Sequence, residues 1–272
     1  MSLSGGTPGQ APSGHRTDPE GKKDAMTTQF HVPPTALDQA DAGTDPGTDA
    51  QSAQPSLVHP PTRWALAGLV AGVAGVGMMV TSGMVNAVYD EKYAGDAQAI
   101  SDRLGDLVPQ MLAFHLFAMT SAVLLVVFAA GLFRRLRATA GADSVLPLVA
   151  FSGALVTAVM LVVGTGLDTE FIFAAGDPEI VVAESAAFYN HWIGTVPWCW
   201  GLLGLSGLAL FGVARKGGLP RWIGLVGLVG GGLTLLLGVS PLQYMAGMTG
   251  PVGLVVIATG FLVGDKVFRG RA

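Results

Sequence analysis

From residue 62 onward the chain alternates between long stretches without any charged residue and short polar joints. A helix needs roughly 20 apolar residues to cross the hydrocarbon core of a bilayer. Charge-free stretches of that length predict spans at about 64–89, 107–133, 145–167 and 187–214. A further charge-free run extends from Trp222 to Gly264. As one helix it would be about 65 Å long, twice the hydrocarbon thickness. It must therefore fold back, and Pro241, Gly247, Gly250 and Pro251 supply a turn between spans at about 222–240 and 247–264. The pattern predicts an all-α, six-helix transmembrane bundle.

The joints carry less pattern. Between the first two spans Ala97, Ile100, Leu104 and Leu107 recur at helical spacing, which predicts a short surface helix. Residues 1–61 are rich in Pro, Gly, Ser, Thr, Asp and Gln and have almost no aromatic residues. Such a segment cannot bury enough apolar surface to offset its ordering entropy, so a disordered tail is expected there. It has no basic region followed by an apolar one, as a cleaved signal peptide would. Met26 opens the string MTTQF and is an alternative start.

Charge adds orientation. Arg63, the cluster Arg134, Arg135 and Arg137, the cluster Arg215, Lys216 and Arg221, and Lys266, Arg269 and Arg271 all fall on one side of the six spans. The other side holds Lys92 and Arg103 against ten acidic residues. Positive loops stay cytoplasmic. The expectation is a bacterial plasma-membrane protein with both termini in the cytoplasm. Trp64, Phe133 and Trp222 fit an inner aromatic belt, and Tyr89, Tyr189, Trp192 and Tyr244 an outer one. Composition agrees: 12% of residues are charged, against about 25% in a soluble domain. No basic stripe supports nucleic-acid binding. Gly68 with Gly72, Gly227 with Gly231, and Gly260 with Gly264 form small-xxx-small pairs. Such pairs admit a helix partner at close range, within the chain or beyond it.

Candidate chemistry is sparse. Met111, His115 and Met119 lie on one face of the second span, one turn apart. Met160 and Cys199, the single cysteine, come from other spans at similar depth. Thioether, thiolate and imidazole suit copper, and imidazole suits haem iron, so these five residues are the candidate metal ligands. The plainer expectation is that His115 hydrogen-bonds across helices and the methionines pack. Asp168 and Glu170 end the third span and His191 opens the fourth, which suggests an outward-facing vestibule or a solvated acidic loop. With no charge inside the expected spans, ion-coupled transport has little support. A small permease would need a polar path built from residues such as Thr81, Asn86, Thr120 and Thr195. No nucleotide-binding motif is present, no cofactor is required, and the chain reads as non-enzymatic.

Gly204-Leu205-Ser206-Gly207 on the fourth span resembles the nucleophile string of the rhomboid intramembrane proteases, whose base is a histidine on the sixth helix. No histidine follows His191, so the base is missing here. Ser206 also lies about 22 Å below the outer end of its span, against about 10 Å for His115. A helix-packing face explains the string better. The segment Phe211–Gly232, FGVARKGGLPRWIGLVGLVGGG, resembles uncharacterised bacterial multi-pass membrane proteins. In these a basic loop with Leu-Pro-Arg-Trp joins two late spans and precedes a Gly-rich helix. The resemblance implies architecture and no activity.

Overall fold

The computed structural model describes residues 63–174, 177 and 179–265. The expectation of a disordered tail at 1–61 and the basic residues Lys266, Arg269 and Arg271 lie outside the described residues. The fold is all-α. Among the described residues there are six helices long and apolar enough to cross a membrane. They are α1 (Arg63–Met84), α3 (Val108–Ala140), α4 (Leu146–Ala174), α5 (Ala183–Arg215), α6 (Arg221–Val239) and α7 (Gln243–Gly264). The short α2 (Ala97–Asp106) is amphipathic and buries Ile100 and Leu104, as its spacing predicts.

The long helices close into a ring. α1 packs on α3, α3 on α4, α4 on α5, α5 on α6, and α7 on both α6 and α1. A proline removes an N–H and clashes with the preceding turn, so a helix breaks or kinks there. Pro197 does this in α5, where Val196–Trp200 is a tight 3-10 turn. That turn touches α1, α4, α6 and α7, which puts it in the middle of the ring. Trp200 fills the centre and is fully buried. Its rings occupy the space that a Cβ on Gly75 or Gly250 would take.

The small-residue pairs are used inside the chain. A Cβ at Gly204 or Gly207 would overlap the backbone of Gly231 or Gly227, so α5 and α6 meet with their backbones nearly touching. Gly68 lies under Phe128 and Gly72 against Pro251 and Val255. Gly260 and Gly264 receive the ring of Trp222. Only α6 stays peripheral, beside an apolar groove of about 420 Å³ that it shares with α7.

Three sequence expectations need correction. The turn before α7 consists of Ser240, Pro241 and Leu242, while Gly247, Gly250 and Pro251 lie inside α7. A proline is tolerated there because neighbouring helices can take over the freed backbone. α1 stops at Met84 rather than Tyr89. Asn190 then serves the loose chain end: its Nδ2 donates to the Val85 carbonyl at 2.6 Å, and its Oδ1 accepts from the Val88 amide at 2.8 Å. Tyr189 is no belt residue, because it is completely buried.

Candidate functional site

α4 is the helix that builds the site. Its first segment, Leu146–Gly164, ends at a turn through Thr165–Leu167, and a second helical segment, Asp168–Ala174, continues it. Asp168, Phe171 and Ala174 are the buried positions of that second segment. Asp168 therefore does not sit in a solvated acidic loop. Its side chain is 0% exposed, within a helix that reads as a membrane span. Glu170, two residues on, points away and is exposed.

A buried carboxylate must be hydrogen-bonded. Asp168 has two side-chain partners. Nδ1 of His115 on α3 lies 2.9 Å from Oδ2. The Tyr189 hydroxyl on α5 donates to Oδ1 at 3.1 Å. The site thus ties three helices together through one carboxylate. Tyr189 is held in turn by Phe171, whose ring stacks on it with centroids 4.2 Å apart and planes 7° from parallel. When Asp168 is ionised it only accepts hydrogen bonds, and Nδ1 of His115 then carries the hydrogen. In the neutral ring that leaves Nε2 as an acceptor. Nε2 has no partner among the described residues, and the His115 side chain is 31% exposed.

Around the site several polar groups find partners, while the buried Gln110 Oε1 on α3 has no hydrogen-bond partner among the described residues. Ser82 donates to the Ile193 carbonyl at 2.9 Å, and the Trp192 indole donates to the Gly164 carbonyl at 2.8 Å where α4 loosens. α2 packs on the first part of α5, and a void of about 10 Å³ separates it from Met111, Phe171 and Tyr189. That is barely room for one water.

The candidate metal ligands find individual settings. His115 is engaged by Asp168. Met119 Sδ accepts from the Thr165 hydroxyl at 3.4 Å. The Cys199 thiol donates to the backbone carbonyl of Met160 at 3.5 Å, so those two do share a depth. Met111 is fully buried beside Tyr189 and Phe171. Among the described residues no group of three or more His, Cys, Asp or Glu side chains is gathered as for a metal ion. His191 is exposed, whereas Asp168 is buried. The His191 ring meets Tyr89 edge-on, with centroids 5.5 Å apart. Ser206 donates to the Ala150 carbonyl at 2.6 Å, between Gly204 and Gly207 on the helix-packing face expected for it.

A second ionic site lies at the other end of α3. Arg135 binds Asp265 through both arms of its guanidinium: Nε to Oδ2 at 2.8 Å and a terminal amino group to Oδ1 at 2.9 Å. Twenty residues separate His115 from Arg135, about 30 Å along the helix. That matches the hydrocarbon thickness, so the two charged sites stand at opposite faces of the bundle.

The sequence places Asp168 only in a vestibule or solvated loop and Tyr189 only in the outer belt, and it gives no role to Asp265. A carboxylate at the end of an apolar stretch looks solvated. The signal for Asp168 was the spacing to Phe171 and Ala174, which keeps it on the buried face if the helix continues past Gly166. Asp265 carried no local signal, because its partner is 130 residues away.

No protein-family model, curated protein or solved structure matches the chain.

Proposed function

We propose that this integral membrane protein is a non-enzymatic binding protein of the bacterial plasma membrane. Both termini are cytoplasmic, and the working site is His115, Asp168 and Tyr189 near the outer face. One observation carries the reading: a carboxylate buried completely inside a membrane span, held by an imidazole whose second nitrogen has no partner among the described residues. Ionisable groups in that position are costly and mark functional sites by default. The carboxylate fixes the tautomer and direction of the ring, so Nε2 is aimed before any ligand arrives. A permease would need a polar path, and the middle of the ring is filled by Trp200, Phe128, Met78 and Leu125. Binding fits this interior better than passage.

The orientation rests on the basic clusters. It predicts that a cysteine at Gln98 reacts with a membrane-impermeant thiol reagent on intact cells and one at Ala138 does not. Both positions are exposed, and the native Cys199 is buried. Labelling at Ala138 alone would invert the topology.

Asp168 is also compatible with the copper or haem reading of His115, since histidines that bind metal almost always donate their other N–H to a carboxylate, a backbone carbonyl or water. One experiment separates the readings. Wild type and His115→Ala are expressed with copper and haem supplied, purified in lipid nanodiscs, and extracted for metal, haem and small organic molecules. The binding reading predicts one organic molecule per wild-type chain that is missing from the variant. Metal or haem lost with His115 supports the cofactor reading instead. Identical contents in both proteins contradict a site at His115.

A further inference from the structure

The direction from which His115 can be reached follows from α3. Four residues before it Met111 is buried, and three residues after it Ala118 is buried. On the other flank Leu112 and Leu116 are exposed, and Met119 is half-buried. His115 therefore sits on the border of the buried face, with lipid-facing leucines beside it. From above, the route to Tyr189 is covered by α2. The ring lies seven residues into α3, about 10 Å below its start. Access to the open edge is thus sideways, from the bilayer, along the seam between α3 and α4.

The chemistry of that edge selects a head group. Asp168 carries a negative charge when ionised, and Glu170 is exposed two residues further along α4. The imidazole contributes at most one positive charge, so the pair is not net positive while Asp168 is ionised. A phosphate head finds no excess positive charge there. A hydroxyl suits the edge in either state of the ring: it donates to a bare Nε2 and accepts from a protonated one. Its tail would lie along Leu112 and Leu116, which already face lipid.

We propose that His115 is the head-group site for a lipid-dissolved hydroxyl amphiphile, an alcohol or phenol with an apolar tail, entering between α3 and α4. This rests on the binding reading given above and adds the class of ligand and its route. The test uses the full chain in phosphatidylcholine nanodiscs with ¹⁵N-labelled histidine. The His115 signals are identified by their absence in His115→Gln. 4-Nonylphenol is titrated as the hydroxyl probe and dodecyl phosphate as the anionic one. The expected result is a saturable shift of the His115 Nε2 resonance with nonylphenol, none with dodecyl phosphate, and none at His191. The shift should be smaller in Asp168→Asn, where the amide NH₂ favours the other tautomer and Nε2, now carrying the hydrogen, can only donate to the hydroxyl. No shift in the wild type overturns the proposal, as does an equal response to dodecyl phosphate. If wild type retains an organic molecule through purification yet nonylphenol moves nothing, the site stands and the hydroxyl class is wrong.

Discussion

The two ends of α3 hold one carboxylate contact each, and they solve the burial of charge differently. At the basic end Arg135 meets Asp265 with two parallel hydrogen bonds, side chains 9% and 12% exposed. Opposite charges cancel and the fork geometry matches, which is the strong form of such a pair. At the acidic end Asp168 is buried further, at 0%, with a phenol and an imidazole as its partners. The first arrangement is a forked ion pair that joins α3 to the end of α7. The second leaves a nitrogen pointing outward. The comparison separates a charge kept for cohesion from one kept for binding.

The largest effect is expected where cohesion is broken. Asp265→Asn leaves the Arg135 charge buried opposite an amide, and removing one partner of a buried pair costs about 3–5 kcal/mol. Thermal unfolding in detergent should show a large drop, and Arg135→Met with Asp265→Leu should recover most of it. If Asp265→Asn unfolds like wild type, the basic end is no staple.

A smaller loss is expected away from both charged ends. Gly204→Val puts a branched side chain into the backbone of Gly231. Overpacking of that kind costs about 1–3 kcal/mol, and it should loosen α6 while sparing the His115 resonances. A change at His115 would mean that the acidic end depends on α6 packing. Ser206→Ala removes the bond to the Ala150 carbonyl. Such interhelical bonds in membrane proteins average about 0.6 kcal/mol, so its unfolding curve should shift only slightly. A loss near that of Asp265→Asn would give Ser206 a weight that the packing account does not allow.

The sequence made one of these ends more legible than the other. Six spans follow from the lengths of charge-free runs, because hydrocarbon thickness sets a minimum that loops do not meet. The small-xxx-small pairs identified close contacts but not their partners, and Gly204 and Gly207 find theirs on α6. His115 was visible as an imidazole deep in a span. Its partner was not, because Asp168 lies 53 residues away. The turn before α7 was misplaced because Gly247, Gly250 and Pro251 have the composition of a loop. They are small because Pro197, Trp200 and α1 press against them. In a bundle this tight, glycine and proline mark contact as often as they mark a break.

On the proposed binding reading, Asp168 serves the site and not the stability of the bundle. Asp168→Asn tests it most directly, with Asp265→Asn unfolded beside it in the same detergent. The amide oxygen can still accept from Tyr189, and its NH₂ can donate to the other tautomer of His115. The exchange also removes a buried charge, whose desolvation is costly. A change of no more than about 1 kcal/mol is expected for Asp168→Asn, with the His115 ligand held more weakly. A loss as large as that of Asp265→Asn would contradict it and make the acidic end a second staple.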